Sequence, residues 1–360
     1  MNNLYKQLAK AIFLGAAVII LLWLFYKMVS VVLLFLLAVV LAMAINHPVV
    51  KLEKRKIKRG WATAIVFILI FTLFGAIALL VGPRISDQVS VLVKNLPGYA
   101  IHASEKVSSW FDAYPELQQK IRIDPATVSD WLPSIPNTLM QVGNFSLSVL
   151  TQVLIVIVFT SMVIYMVAIP RPLFELYLLL FSPAQRDKAT LAYSRISVMI
   201  SGWMRSNLIG GLTNAVLVII FLNFMKIPGA FVWGALAFFT EFVPRIGFFI
   251  KALPPVLVAL SMNGYTAMWV AVFYLATDEI MADFIMPRVR SNTMKIHPVS
   301  ILFVVMAMGA AFGFIGVLLA TPLTAIIKGY FEVFYLNKAE DEKLMEKRIN
   351  NMIYQDEKKL

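Results

Sequence analysis

The chain has 360 residues, of which 60% are hydrophobic and 14% charged, with no cysteine and a formal charge of +12. A mean hydropathy of +0.80 indicates a membrane protein, and the lack of cysteine excludes a disulfide scaffold, a zinc ribbon and a thiol nucleophile. The basic residues lie in short loops between apolar runs, so we assign the charge to membrane orientation and expect no nucleic acid partner.

Six apolar stretches are long enough to cross a bilayer, which takes about 20 residues. In chain order they are residues 11–26, 29–46, 61–82, 146–169, 207–225 and 265–286. The loop after the second stretch, residues 47–60, holds six Lys or Arg and one acid. Such an excess marks the cytoplasmic side of the membrane. We therefore expect a cytoplasmic N-terminus, with Lys27 and residue 83 outside.

The chain becomes polar between residues 83 and 145, and its apolar residues there recur at helical spacing, namely Ile85, Val89, Leu92 and Leu96. This pattern predicts a small helical extracytoplasmic domain. After the next span the chain is basic again, which returns it to the cytoplasm. An apolar face in this part predicts an amphipathic helix along the membrane interface, formed by Tyr193, Ile196, Ile200 and Trp203.

Two longer apolar stretches, residues 229–262 and 299–328, are interrupted by Gly and Pro. If the first crossed the membrane only once, the basic cluster 288–295 would face outside, against the positive-inside rule. A hairpin that turns near Pro244 and Gly247 keeps this cluster inside. A second hairpin in 299–328 likewise keeps the charged tail in the cytoplasm. Hairpins of broken helices are a pattern that transporters use for binding sites near the membrane midplane.

Ionisable side chains within these apolar segments are unexpected, because each costs about 2.5–3.5 kcal/mol on insertion scales. The first hairpin carries Glu241, Arg245 and Lys251. The span that follows it carries Asp278, Glu279 and Asp283. Two interpretations remain open. The opposite charges neutralise one another and fix the packing, or at least one acid lines the path of a solute or ion.

Other motifs favour packing over chemistry. Gly309 and Gly313 form a GxxxG pair, which is typical of close helix contacts. The histidines His47, His102 and His297 stand in separate segments, so we expect no metal site. The sequence has no Walker loop, GxSxG elbow or other catalytic motif. We therefore predict no enzymatic activity and no cofactor.

Three segments of the C-terminal half carry a family resemblance. EFVPRIG supplies Glu241, Pro244 and Gly247 of a signature with an acidic residue, prolines and glycine. DEIMADFIMPRVRSNTMKIHP has a proline, ten residues and a His-Pro pair, and FGFIGVLLATPLTAIIKG has a closing Gly-x-x-Gly and Pro. With the paired N-terminal spans and the basic loop, these segments resemble the autoinducer-2 exporter family of bacterial inner-membrane proteins. Arg245 stands where the signature has an aromatic residue, which suggests a site of altered charge.

The resemblance implies a multispan permease, oligomeric in at least some relatives. Some members export small polar signals, and others exchange sodium for protons. We therefore expect an inner-membrane secondary transporter that exports a small polar or ionic solute and forms a homo-oligomer in the lipid bilayer, with both termini cytoplasmic. Two alternatives stay open: a sodium or lithium/proton antiporter, and a non-transporting scaffold that acts through its external domain.

The predicted fold is all-α, a polytopic membrane protein with about eight membrane segments, two broken-helix hairpins and a small helical extracytoplasmic domain. Its divisions are transmembrane helices (1–82), the external domain (83–145), a span with interfacial helices (146–206), the transmembrane core (207–330) and a charged cytoplasmic tail (331–360). The expected solute-path residues are Glu241, Pro244, Arg245, Gly247, Asp278 and Asp283. The expected hairpin-packing residues are Gly309, Gly313, Gly316 and Pro322.

Overall fold

The computed structural model describes residues 2–111, 147–243, 246–285, 297–335 and 340–354. Within these ranges every regular element is helical. The α-helices, in chain order, are α1 Asn2–Glu53, α2 Arg59–Ser109, α3 Leu147–Ala168, α4 Arg171–Leu179, α5 Arg186–Phe224, α6 Ala230–Thr240, α7 Ile246–Met262, α8 Gly264–Ile280, α9 Pro298–Phe334 and α10 Glu340–Tyr354. A short 3-10 turn (Pro183–Gln185) precedes α5, and a π-helical turn (Met281–Ile285) follows α8.

Five of the described helices are long and apolar enough to cross a membrane. They are α1, α2, α3, α5 and α9, and the shorter α6 and α7 are apolar as well. Leucine, isoleucine, valine and phenylalanine stand exposed along their surfaces, as expected of side chains that face lipid rather than water. The protein is therefore an all-α polytopic membrane protein, which confirms the predicted fold class.

The N-terminal segment differs from its prediction. We expected two spans with a turn at Lys27, but α1 runs unbroken through this residue for 52 residues, about 78 Å. The chain has no Gly or Pro near Lys27 to stop the helix. The structure thus has one continuous helix where two spans were predicted, and the cytoplasmic N-terminus stays a prediction.

The stretch predicted as an interfacial helix is the first part of α5, which continues without a break to Phe224. Ile196 and Ile200 are buried, and they pack against Val40 of α1 and Leu319 of α9. The apolar face that the sequence shows here therefore meets neighbouring helices, rather than a membrane surface. Periodicity alone does not distinguish these two surroundings, because both favour one apolar stripe.

The end of α1, the start of α2 and the end of α3 converge on Arg59. Its Nε donates to the Val167 carbonyl at 2.9 Å, its Nη2 donates to Asn46 Oδ1 at 2.6 Å, and its Nη1 contacts Glu53 Oε2 at 3.1 Å. These bonds join the start of α2 to the end of α1 and the end of α3. Two apolar clusters continue this contact along the helices. Their buried members are Val49, Ala62, Val66 and Val167 in one, and Ala38, Phe67 and Val163 in the other.

Helix α2 is 51 residues long and continues past residue 83, where we predicted the start of an external domain. Its second half packs on α6 and α7. Gln88 Oε1 accepts a hydrogen bond of 2.9 Å from the Phe231 N–H at the start of α6, and Lys106 Nζ donates to the Met262 carbonyl at 3.3 Å. Leu92 belongs to the same apolar core cluster as the two shorter helices.

The first predicted hairpin is present as α6 and α7, called hairpin 1 below. Helix α6 ends at Thr240, and turn residues follow from Glu241 to Val243. A Cβ on the buried Gly247 would collide with the carbonyl oxygen of Thr240, so only glycine allows the second helix to start this close to the end of the first.

The second predicted hairpin lies within α9, called hairpin 2 below. Gly313 has φ +61° and ψ −144°, which breaks the helix. On either side of it the chain touches itself: a Cβ on Gly309 would lie 3.0 Å from Val317 Cγ2, and one on Gly316 would collide with the Met308 carbonyl. Residues eight apart are separated by about 12 Å in a straight helix. The chain therefore reverses at Gly313, as predicted for 299–328.

Candidate functional site

Glu241 stands at the C-terminal end of α6 and is held by α5. Asn214 Nδ2 donates a hydrogen bond of 2.9 Å to Glu241 Oε2, and Asn214 is only 1% exposed. The C-terminus of a helix carries partial negative charge, so a carboxylate at that position is unfavourable without a donor beside it. The buried amide of Asn214 supplies this donor. The N-terminus of α7, which carries partial positive charge, begins at the same tip.

Helix α5 fits against hairpin 1 through small residues and aromatic rings. A Cβ on Gly211 would lie 2.9 Å from the ring and the carbonyl oxygen of Phe238, and a Cβ on Gly234 would collide with the Ile219 side chain. The rings of Trp203 and Phe242 meet edge to face with centroids 5.9 Å apart. These contacts bring the α5 backbone close to α6 and set Asn214 at the tip of the hairpin.

A second charged contact lies between α7 and α8. Lys251 Nζ and Asp278 Oδ1 form an ion pair at 3.0 Å, in which the lysine side chain is 5% exposed and that of the aspartate 46%. A buried ammonium is strongly disfavoured unless a carboxylate compensates it. Of the two interpretations above, mutual neutralisation fits this pair, whereas the contact that the described residues make with Glu241 is an amide.

Both contacts lie well inside the helical layer. Helix α6 has 11 residues, about 16 Å, from its start to the break at Glu241. Lys251 lies twelve residues, about 18 Å, before the cap residue Asn263 of α8. The hydrocarbon core is about 30 Å thick. If the turns at 225–229 and at Asn263 lie at the membrane surface, Glu241 and Lys251 lie near the membrane midplane.

The remaining candidates are placed as follows. Gly247 closes the hairpin tip, whereas Pro244 and Arg245 lie outside the described residues. Asp283 is exposed and belongs to the π-helical turn Met281–Ile285. The prediction that Glu279 and Asp283 share a face assumed a regular α-helix, and a π turn changes the register by one residue per turn. The hairpin-packing candidates Gly309, Gly313 and Gly316 lie at the reversal of hairpin 2, and Pro322 is buried in its second arm.

Asn207 and Asn214, which are both buried in α5, were not among the predicted site residues. The signal was present, because two asparagines seven residues apart lie on one face of a helix and are unusual in an apolar span. Attention to formal charges alone missed them. Within the described ranges no group of three or more His, Asp or Glu could hold a metal ion.

Half-helices that meet at polar residues, within a multi-pass helical bundle, are a pattern that membrane transporters use for binding sites. Comparison with known families agrees. The family described as AI-2E family transporter matches residues 12–335, and the chain belongs to this family.

Curated relatives have names that describe transport. A "Putative transport protein" of Haemophilus influenzae is 25% identical over 334 residues, covering 91% of this chain and 92% of its own length. "Putative transport protein YueF" of Bacillus subtilis is 23% identical, covering 80% of each chain. "AI-2 transport protein TqsA" of Escherichia coli is 23% identical over 321 residues, covering 88% of this chain and 90% of its own length. The similarity thus extends over most of each protein.

Proposed function

We propose that this protein is a secondary permease of the bacterial inner membrane that exports a small polar solute, with hairpin 1 lining the path. The observation that supports this best is the break at Glu241, where an ionisable side chain meets two half-helix ends and a buried amide of α5. The ends of broken helices carry unpaired backbone N–H and C=O groups. These groups can bind a polar solute inside the membrane, where lipid offers no hydrogen-bond partners.

Each site residue has a role in this proposal. Glu241 accepts hydrogen bonds from the solute at the tip, and Gly247 lets the two half-helices meet there. The Lys251–Asp278 pair holds α7 against α8. It keeps the wall of the solute path intact while Glu241 at the tip exchanges its hydrogen-bond partner. Pro244, Arg245 and Asp283 remain proposed members of the path.

The orientation of the chain is also a proposal. The basic loop 47–60 and the charged tail face the cytoplasm, on the positive-inside rule. The name of the Escherichia coli relative mentions AI-2, so AI-2 belongs among the solutes to test. Assembly into a homo-oligomer stays a prediction.

Solute efflux from proteoliposomes tests the proposal. The purified full chain is reconstituted, and efflux of a panel of small polar solutes is measured together with proton movement. Glu241→Gln keeps the side-chain size and removes its charge, and we expect efflux to fall at least about tenfold, the value of one charge-assisted hydrogen bond. Glu175→Gln is the matched control, because Glu175 is exposed on α4 and pairs with Arg171 four residues away.

The outcomes separate the alternatives. Unchanged efflux in folded Glu241→Gln refutes the role of Glu241. Proton movement driven by an imposed sodium or lithium gradient would favour the antiporter. A parent protein that moves neither solutes nor protons would contradict the permease and favour the scaffold.

A further inference from the structure

Helix α4 is fixed to the bundle by its aromatic face. The Tyr177 hydroxyl donates a hydrogen bond of 2.9 Å to the Ala189 carbonyl of α5 and accepts one of 2.8 Å from the Tyr330 hydroxyl of α9. The rings of Phe174 and Tyr193 meet edge to face with centroids 4.9 Å apart. Because two neighbouring helices hold this face, the remaining faces of α4 have a defined direction.

Helix α4 lies across α5 and α9 rather than along them. Near its start, Phe174 contacts Tyr193, in the second turn of α5. Just after its end, Phe181 stacks on Tyr330 and on Phe334, the last residue of α9, with centroids 6.3 and 5.8 Å apart. Both α5 and α9 are long and apolar enough to cross a membrane. A helix that passes between the ends of two spans lies along the membrane surface.

Two other faces of α4 are exposed, and they differ in chemistry. Leu173, Leu176 and the cap residue Leu180 are 40%, 61% and 76% exposed, and their spacing of three and four residues puts them on one face. The ion pair of Arg171 and Glu175 lies on the opposite side, with side chains 89% and 64% exposed. A leucine face opposite a charged face is typical of a helix at a membrane interface.

An exposed basic turn between α1 and α2 lies beside the start of α4. Its exposed cations are Lys54, Arg55, Lys56 and Lys58. The next residue, Arg59, bonds to the Val167 carbonyl, four residues before α4 begins, and its charge acts on the Tyr193 hydroxyl. The one acid beside the turn, Glu53, pairs with Arg59. Among the residues that the structure describes, no acid forms an ion pair with the four cations of the basic turn.

This combination of leucines and uncompensated cations is complementary to a phospholipid with a net negative headgroup. The acyl chains would cover the leucine face, and the headgroup phosphates would meet the cations. Water would leave the leucine face uncovered. Pairing with the same surface of a second copy would bring two basic turns together, which the repulsion of like charges opposes.

We propose that the leucine face of α4 and the basic turn form a binding surface for anionic phospholipid. The surface lies outside hairpin 1, and its occupant does not depend on which solute the protein carries. Lipid bound here holds α4 at the membrane surface. Through the hydrogen bond between Tyr177 and Tyr330, it also holds the end of α9, which is the second arm of hairpin 2.

Spin labels test what covers the leucine face. The chain has no cysteine, so a nitroxide on one introduced cysteine reports a single position. In bilayers that contain phosphatidylglycerol, labels on Leu176→Cys and Leu180→Cys should collide more often with oxygen, which concentrates in lipid, than with a water-soluble nickel chelate. Glu175→Cys is the matched control on the opposite face, where the nickel chelate should be preferred. All three side chains are exposed, so the labels should not disturb the packing.

Two results of this experiment would overturn the proposal. One is a preference for the nickel chelate at Leu176→Cys and Leu180→Cys, which would show that water covers the leucines. The other is spin–spin broadening between labels on different copies of Leu176→Cys, which would show that a second copy covers them.

A lipid titration tests the headgroup. Short-chain phosphatidylglycerol, added to the detergent-solubilised full chain, should raise its melting temperature, because a ligand that binds the folded state stabilises it. Phosphatidylcholine with the same acyl chains should have a smaller effect. Lys54→Gln and Lys58→Gln should each raise the half-saturating concentration of phosphatidylglycerol about fivefold, the contribution of one basic residue near an anionic surface.

Lys94→Gln is the matched control for the titration. Lys94 is exposed on the second half of α2, about 50 Å along the helix from the basic turn, so its replacement should leave the half-saturating concentration unchanged. Equal stabilisation by the two lipids would overturn the anionic surface. So would parent-like half-saturating concentrations for Lys54→Gln and Lys58→Gln. Neither readout requires solute efflux, so failure of the proposed permease function would leave this test intact.

Discussion

Lys251 of α7 and Asp278 of α8 form an ion pair in which the lysine is buried and the aspartate is half exposed. The two partners therefore depend on the pair to different degrees. Removing the aspartate leaves an ammonium with no compensating charge in an apolar interior. Removing the lysine leaves a carboxylate that can still reach a polar surrounding.

This asymmetry gives the first prediction. Asp278→Asn should destabilise the protein by about 3 kcal/mol, whereas Lys251→Met should cost much less, because Met fills the same space without a charge. The thermal melting of detergent-purified variants measures the difference. Combining both substitutions should recover most of the loss seen in Asp278→Asn.

Glu279→Gln is the control for this pair, since Glu279 is the exposed neighbour of Asp278. It should melt with the parent. Equal destabilisation by Asp278→Asn and Lys251→Met would contradict the buried-lysine explanation.

The second prediction concerns the reversal of hairpin 2. Gly316→Ala adds a methyl group that collides with the Met308 carbonyl, and we expect a loss of about 2 kcal/mol or more in stability. A melting series in detergent measures it. Gly75→Ala is the matched control: it lies in α2 with no atom near the added Cβ, so the helix should be unchanged or slightly more stable.

The third prediction concerns the junction at Arg59, where one side chain bonds α1 and α3. Arg59→Lys keeps the charge but cannot make three directed bonds at once, so we expect a loss of about 2 kcal/mol. Arg171→Lys, at an exposed pair on α4, should have no measurable effect. Similar melting temperatures for both variants would show that charge alone, rather than the fork of the guanidinium, holds the junction.

The fourth prediction concerns the contact between α2 and hairpin 1. Gln88→Leu removes the acceptor of the Phe231 N–H, so hydrogen exchange at the first turn of α6 should become faster by about tenfold. Mass spectrometry of peptides that cover 229–235 measures this. Asn95→Leu, on an exposed face of α2 where the amide bonds only to the Val91 carbonyl, should leave exchange in α6 unchanged.

Residues 83–109 are part of this contact, which affects how the external region can be tested. Deleting 85–140 would remove Gln88, Leu92 and Lys106 together, and hairpin 1 would lose its support. Loss of activity in such a deletion would therefore not distinguish a scaffold from a transporter. Point variants at exposed residues of this part of α2 that do not contact hairpin 1, such as Asn95→Leu, make that distinction more cleanly.

Several features of the site were predictable from local sequence. The two hairpins followed from Gly and Pro within apolar stretches and from the side of the membrane on which basic residues must lie. Gly247 and Gly313 stand where the chain turns. The partner of Lys251 was predictable only as one of three acids, because Asp278, Glu279 and Asp283 follow one another along the chain.

Other features required the assembled helices. The continuity of α1 and of α5 was missed, because a lysine or a polar stretch in a sequence does not reveal whether the helix stops there. Asn214 was missed because an asparagine in an apolar span acquires meaning only when a carboxylate lies opposite it.

The sequence by itself determined that this is an all-α, multi-pass membrane protein with two broken hairpins, because hydropathy and helix-breaking residues act locally along the chain. Only the tertiary structure decided which polar groups meet. The rotation of α5 against α6 sets Asn214 beside Glu241, and that of α7 against α8 selects Asp278 for Lys251. The rotation of α5 against α6 depends on close contacts at Gly211 and Gly234, which link residues far apart in the chain.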